Sequence, residues 1–342
     1  MLISLPGFSL EPPPSEVEFL RRELGIEWRQ VTKEELHSRL LLRAPLLLLV
    51  SEPDGYREFL EASPDGSLVL LLISDEAYSP ERLNLAGASA VSRTYRHYPA
   101  RHASGWRIAS AASGYVRDSA RTSQSATTFL PNVASGLSLR GRMKDWEKLG
   151  DRVRSVPLGY TDTFASAFAE LMNLGPMESL FSYPIDEDPR PTFITFHGNR
   201  GLAQRISGLE LAGRLPHSDV VTVDADWSAR APSDVGTSYV ESLMEARFAL
   251  CPPGFANNES FRFYEALICG ALPVEVTTAT THLGELPWRS AGSIATASWT
   301  KALREAERMS ESTREARLMR VRTLIARELA ATAERIRRDL ED

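Results

Sequence analysis

The chain has 342 residues, 43% of them hydrophobic and 25% charged, and a formal net charge of −6 at pH 7. That balance is ordinary for a folded, water-soluble protein, gives length enough for two cores, and excludes the broad basic surface by which proteins hold nucleic acid or anionic lipid. The two cysteines, Cys251 and Cys269, cannot frame a disulfide-stapled or zinc-ribbon module; both lie in apolar runs and read as reduced, buried thiols.

The first residues, Met1-Leu-Ile-Ser-Leu-Pro-Gly7, have no basic segment followed by a long apolar run. They do not read as a secretory signal, and a cytoplasmic location is expected. Ser15-Glu-Val-Glu18 has the form of a capping box and predicts a helix over 15–24; Thr32-Lys-Glu-Glu35 opens a second. Residues 46–50 and 68–73 are continuous apolar runs of strand length, as a parallel sheet covered on both faces requires. Further strands are expected over 93–98, 102–114 and 153–158, with a Ser-, Thr- and Arg-rich loop or lid between 115 and 148. A helix is expected over 162–173.

Residues 174–191 hold Gly175, Pro176, Pro184 and Pro189 among an acidic cluster and mark the best boundary in the chain. Beyond it the alternation resumes: strand 192–196, helix 201–211, strand 220–223 and helix 238–246. A strand near 293–297 follows later, and a long helix runs from 310 to 342 with Leu318, Val321, Ile325, Leu329, Thr332 and Ile336 at helical spacing. The arginines of that tail, interleaved with acids, read mostly as a solvated face, and their modest basic excess gives little attraction to a membrane surface. The expected fold is α/β, with residues 1–178 and 192–309 as two units, 179–191 as linker and 310–342 as a closing helix.

The most telling stretch is 246–276. Ala246-Arg-Phe-Ala-Leu-Cys251 is a strand, Pro252 to Glu259 a glycine-containing loop, Ser260 to Cys269 an amphipathic helix and Leu272-Pro-Val-Glu-Val276 a buried strand. In such a βαβ unit a ligand phosphate meets free backbone N–H groups and the positive end of the helix dipole. Arg262 would add a bidentate cation and Glu265 could accept from ribose hydroxyls. Being three residues apart on a helix, Arg262 and Glu265 would equally suit a plain intrahelical ion pair. His197-Gly-Asn-Arg-Gly201, after the 192–196 strand, is a second place where backbone can approach a ligand, through Gly198, Asn199 and Arg200. Asp224-Ala-Asp226 could hold a divalent cation against a diphosphate. P-loop, dinucleotide-binding and nucleophile-elbow glycine motifs are missing from the sequence.

Phe248-Ala-Leu-Cys-Pro-Pro-Gly254, Ser260-Phe-Arg-Phe-Tyr-Glu-Ala266 and Gly270-Ala-Leu-Pro-Val274 together resemble the donor-binding segment of exostosin-type glycosyltransferases. Ile73-Ser-Asp-Glu76, Arg93-Thr-Tyr-Arg96, Pro157-Leu-Gly-Tyr160 and Phe196-His-Gly-Asn-Arg200 stand in the order seen in bacterial and viral relatives of that group. The resemblance implies two Rossmann-like domains facing across a cleft (the GT-B architecture) with the last helix crossing back onto the first. It implies an inverting, metal-independent transfer from a nucleotide-sugar, a UDP-sugar, to a glycan or other hydroxyl acceptor, without a further cofactor or nucleic-acid partner. The donor site would comprise Gly198, Asn199, Arg200, Arg205, Pro252, Gly254, Ser260, Arg262 and Glu265. Asp75 or Glu76 would be the base, unless one of them caps a helix or binds Arg93. Arg93, Tyr95, Arg96 and His97 would hold the acceptor. Pro253 stands where many relatives carry arginine, so Arg200, Arg205 or Arg262 would have to meet the donor phosphates. That departure keeps a second reading alive, a nucleotide- or glycan-binding protein without turnover; Asp224 and Asp226 keep a third, a metal-dependent transferase.

Overall fold

The computed structural model describes residues 5–10, 13, 15–41, 46–50, 56, 58–59, 68–72, 88–93, 153–185, 189–199, 203–223, 234–252, 260–276 and 291–341. In chain order these form β1 (Leu5–Ser9), α1 (Val17–Phe19), which continues as a π-helical turn (Leu20–Leu24), β2 (Ile26–Gln30), α2 (Lys33–Leu41), β3 (Leu46–Val50), β4 (Leu68–Leu72), β5 (Ala88–Arg93), β6 (Val153–Ser155) and α3 (Asp162–Leu171). A 3-10 turn (Leu180–Ser182) precedes β7 (Thr192–Asn199), α4 (Ala203–Ala212), β8 (Ser218–Val223), α5 (Asp234–Glu245), β9 (Ala246–Leu250), α6 (Phe261–Ile268), β10 (Leu272–Val276), β11 (Ile294–Thr296), α7 (Trp299–Arg308) and α8 (Glu311–Glu341).

The described strands make two sheets, ordered β2-β1-β3-β4-β5-β6 and β11-β10-β9-β7-β8. Every pairing is parallel, so the expected α/β class is what forms. Strands β3 and β4 read Leu-Leu-Leu-Leu-Val and Leu-Val-Leu-Leu-Leu because both of their faces are covered. Leu47, Leu49, Val69 and Leu71 enter a core that continues into the second sheet. Leu46, Leu48, Val50 and Leu68 enter a separate one with Leu36, Leu40 and Phe59. That two-residue alternation is the pleat of a strand.

Sequence reading missed β1, β2 and α7 and placed β5 too late. Strand β2 is an edge strand whose outer residues, Glu27 to Gln30, are at least partly solvated, so no apolar run marks it. Strand β1 carries Pro6 and Gly7, where a Cβ on Gly7 would come within 2.7 Å of Leu49; close packing between neighbouring strands selects the glycine. Strand β5 is Ala-Ser-Ala-Val-Ser-Arg, small and polar. The expected strand at 102–114 and the lid at 115–148 lie outside the described residues.

The capping box at Ser15 does not form. Glu18 instead pairs with Arg21 and Arg22, and the Glu18 N–H donates to Asp162 Oδ1 at 2.7 Å, while Asp162 N–H donates to Ser15 O at 2.6 Å. The helix start is thus capped from α3, where Thr161 caps conventionally by accepting from Phe164 N. The Thr32 cap of α2 forms as expected, accepting from Glu35 N at 3.2 Å.

The described residues of the 174–191 stretch join the core that residues of both sheets share. Leu180 and Phe181 are buried, and Glu23, on the π-helical turn, accepts from Tyr160 OH (2.9 Å), Ser179 Oγ (2.6 Å) and Leu180 N (2.9 Å). Arg190 donates to the carbonyls of Leu243, Ala246 and Cys269, the ends of α5 and α6 where carbonyls lack helical partners. On α8, Leu318, Val321, Ile325, Leu329, Thr332 and Ile336 are all buried, as their spacing requires. Two of its arginines correct the solvated-face reading: Arg314 and Arg322 are also buried. Arg314 donates to Gly270 O and Arg322 to Phe181 O and Tyr183 O. The helix touches the Leu20–Leu24 turn and β4 of the first half, and α6 and β10 of the second.

Burial pushes the Glu23 carboxyl up, against the lowering effect of its three donors and Arg22. The folded state therefore holds this proton more tightly than the unfolded chain, and stability declines as pH rises from about 4.5 through the folded value. Urea midpoints measured from pH 4 to 7 should fall for wild type relative to Glu23→Gln; parallel curves would refute the assignment.

Candidate donor-phosphate site

The site is built where β7 ends and α6 begins. Helix α6 starts at Ser260, whose backbone is extended and whose side chain makes no capping bond. Ser260 Oγ is buried without a hydrogen-bond partner, as is Arg262 Nε. The Arg262 guanidinium lies 4.5 Å over the Phe196 ring, and its Nη2 donates to His197 O at 2.8 Å. That carbonyl contact places the guanidinium against Gly198, where a Cβ would meet Nη2 and where φ is +156°; close approach and backbone conformation together favour glycine.

The ion pair that a three-residue spacing would allow does not form. Glu265 faces the other way, buried at 4% exposure. Its Oε1 accepts from Thr161 N (3.2 Å) and Thr161 Oγ1 (3.0 Å), and its Oε2 from Tyr239 OH (2.8 Å). Burial and the Glu265 charge hold the Tyr239 phenol well above its usual range, so Tyr239 stays a donor. Arg262 is left without a carboxylate partner among the described residues. A helix start that Ser260 does not cap, a buried hydroxyl and a cation without a counter-charge among the described residues are together the features of a candidate anion cradle.

Beside it runs a second chain of polar contacts. His197 Nε2 is 2.7 Å from Asp219 Oδ2, Ser242 Oγ donates to the same oxygen at 2.6 Å, and Thr195 Oγ1 is 2.5 Å from Ser242 Oγ. Burial opposes the Asp219 charge, but the hydrogen bonds from Ser242 and His197 outweigh it and hold the carboxyl below its usual range. Asp219 stands opposite Thr195 in the β7–β8 register, so Thr195, His197 and Asp219 share one face of the sheet. The reading of the sequence gave His197 no role, because its partner lies 22 residues away on a neighbouring strand.

The other expected site residues are distributed as follows. Gly198 and Asn199 are the last residues of β7, which runs past the expected end at Phe196. Arg205 is buried on α4 and Pro252 is buried just beyond β9. Arg93 ends β5, with its backbone level with Leu72 and Ser155, at the carboxyl edge of the first sheet. Asp75, Glu76, Tyr95, Arg96, His97, Arg200, Asp224, Asp226 and Gly254 lie outside the described residues. From that carboxyl edge the chain leaving β6 runs straight to α6: Leu158 N donates to Tyr264 OH at 3.3 Å, and Thr161 to Glu265. Cys251 and Cys269 are buried, their thiols pushed well up by burial. Among the described residues no group of three or more potential ligands could hold a metal ion, and no helix is long and apolar enough to cross a membrane.

Parallel sheets with helices between their strands define an α/β protein, and folds of this class bind their ligands outside the carboxyl ends of the strands. Residues 204–295 match the family model described as RXYLT1 C-terminal domain, which relates α4 through β11 to a glycosyltransferase family. The match takes in Arg205, Ser260, Arg262, Glu265 and Asp219. No curated protein matches the chain.

Proposed function

We propose that the chain is an inverting glycosyltransferase that takes a sugar from a UDP-sugar without a metal ion, in the GT-B arrangement. Residues 192–309 would bind the donor, residues 1–178 would select a glycan or other hydroxyl acceptor, and 179–191 would join the two. The observation that carries this reading is Arg262, half-buried beside a start of α6 that the Ser260 side chain does not cap, and without a carboxylate partner among the described residues, within the segment related to glycosyltransferases. In the transfer, the acceptor oxygen bonds to the anomeric carbon as the bond from that carbon to the phosphate oxygen breaks. The diphosphate leaves with the electron pair, and Asp75 or Glu76 takes the acceptor proton. Charge grows on the leaving diphosphate as that bond breaks, so Arg262, Ser260 Oγ and the α6 N–H groups stabilise the transition state more than the ground state. Arg200 and Arg205 would add cationic contacts, and Arg93, Tyr95, Arg96 and His97 would hold the acceptor.

A calorimetric and thermal-shift panel of UDP, GDP, dTDP and CMP, each with and without EDTA, tests the donor site. UDP should bind in both conditions; at one hundred times its Kd it should stabilise the fold by about 2.7 kcal/mol. Binding abolished by EDTA would move the reading to the metal-dependent transferase of Asp224 and Asp226. Failure of all four nucleotides would refute the donor site.

A further inference from the structure

We propose that Phe196 is a positioning residue for the donor diphosphate: its ring holds the Arg262 guanidinium at the carboxyl end of β7 while leaving the cation's charge for a phosphate. This rests on the donor-site reading above. Three consecutive residues of β7 form the slot. The Phe196 ring lies 4.5 Å from the guanidinium carbon, His197 O accepts from Nη2 at 2.8 Å, and Gly198 leaves open the space that a Cβ would take from Nη2. Residues two apart in a strand share a face, so the ring and the glycine gap stand side by side and the guanidinium lies against both. Phe196 itself is buried at 1% exposure, so it acts on a ligand through Arg262.

The kind of holder decides what the cation can do. A guanidinium can lie over a ring and still direct its in-plane N–H groups to an anion. Among the described residues only Nη2 of Arg262 has an acceptor, and Nε is buried with none. Other buried arginines are held differently: Arg22 pairs with Glu18 and Arg314 with Glu311, so a carboxylate offsets each charge. Arg247, at the start of β9, also stands over rings, 5.8 Å from Phe193 and 5.7 Å from Phe248, but it pairs with Glu311 as well. Arg262 combines a ring and a carbonyl with no carboxylate among the described residues, and it does so at the strand ends. A long side chain ordered in advance by the fold loses less freedom when a ligand arrives, which is the benefit of preorganisation.

The experiment is UDP calorimetry on wild type, Phe196→Leu, Arg262→Ala and the double variant, with thermal unfolding of each. Phe168→Leu, which removes a buried ring of α3, is the control for lost core packing. Phe196→Leu frees the arginine and should weaken UDP binding about 3–10-fold. Made in the Arg262→Ala background, the same change should alter affinity by less than about twofold, because the group it positions is gone. Phe168→Leu should lower Tm and leave UDP affinity as in wild type. Wild-type affinity in Phe196→Leu, or an equal loss with and without Arg262, would overturn the proposal. Should Phe196→Leu not fold, Phe196→Met fills the space with a flexible side chain that has no ring and carries the same comparison. Failure of UDP to bind wild type would instead remove the donor-site reading, and this inference with it.

Discussion

Replacing Arg262 by alanine should weaken binding of UDP by about 100-fold or more while leaving the fold in place. Two properties of the site set that scale. Among the described residues the guanidinium is held by one carbonyl, His197 O, and one ring, Phe196, and meets no carboxylate, which leaves its charge for a phosphate. Charge-assisted hydrogen bonds contribute about 1.5–3 kcal/mol each, and a forked contact makes two. The structural loss is smaller, one such bond to the His197 carbonyl, about 1.5–3 kcal/mol, against two to the phosphate. Arg262→Lys retains the charge without the planar fork and should fall between wild type and alanine. Calorimetry with UDP, read beside the thermal midpoint of each variant, separates the two effects. Unchanged affinity in Arg262→Ala, with Tm near wild type, would show that the cradle does not receive the phosphates.

How far the chain discloses this in advance depends on whether a signal is local. Strands β3, β4, β9 and β10 are apolar runs because both faces of each are covered, and α8 declares itself through six buried positions at helical spacing. The strand, helix and strand of β9, α6 and β10 were equally legible, lying within one short stretch. What stayed hidden is pairing across distance. Nothing between Glu23 and Ser179 announces that one carboxylate will gather three donors from the far side of the core. Arg322 reads as one more tail arginine until the carbonyls of Phe181 and Tyr183 meet it. The partner of His197 is on β8 and that of Glu265 is beside α3, so spacing alone offered Arg262 as the Glu265 partner. Strand β2 was lost for a related reason: it is a half-solvated edge strand and carries no apolar run to reveal it.

Glu265→Ala should destabilise the protein by about 3–5 kcal/mol and also weaken donor binding. The carboxylate is buried and gathers three donors from two separate elements, the chain before α3 and the helix α5. Truncation leaves Thr161 N–H, Thr161 Oγ1–H and Tyr239 O–H without their acceptor in a partly buried setting, and an unmet buried donor costs about 1–3 kcal/mol. Two oxygens offer about four lone-pair directions, and the three donors leave one for a ribose hydroxyl. Glu265 would then join acceptor-side chain, donor-side helix and ligand at a single group. Glu265→Gln tells the two roles apart. Its amide oxygen can still accept from Thr161, and the Tyr239 hydroxyl can turn to accept from the amide NH2, so stability should drop by about 1 kcal/mol only. A ribose hydroxyl that needs an acceptor would meet the NH2 instead, so UDP affinity should fall in Glu265→Gln by about tenfold. Thermal unfolding and UDP calorimetry on both variants give the answer. Stability loss in alanine with full UDP affinity in glutamine would leave Glu265 as a clasp between Thr161 and Tyr239 and remove its ribose role.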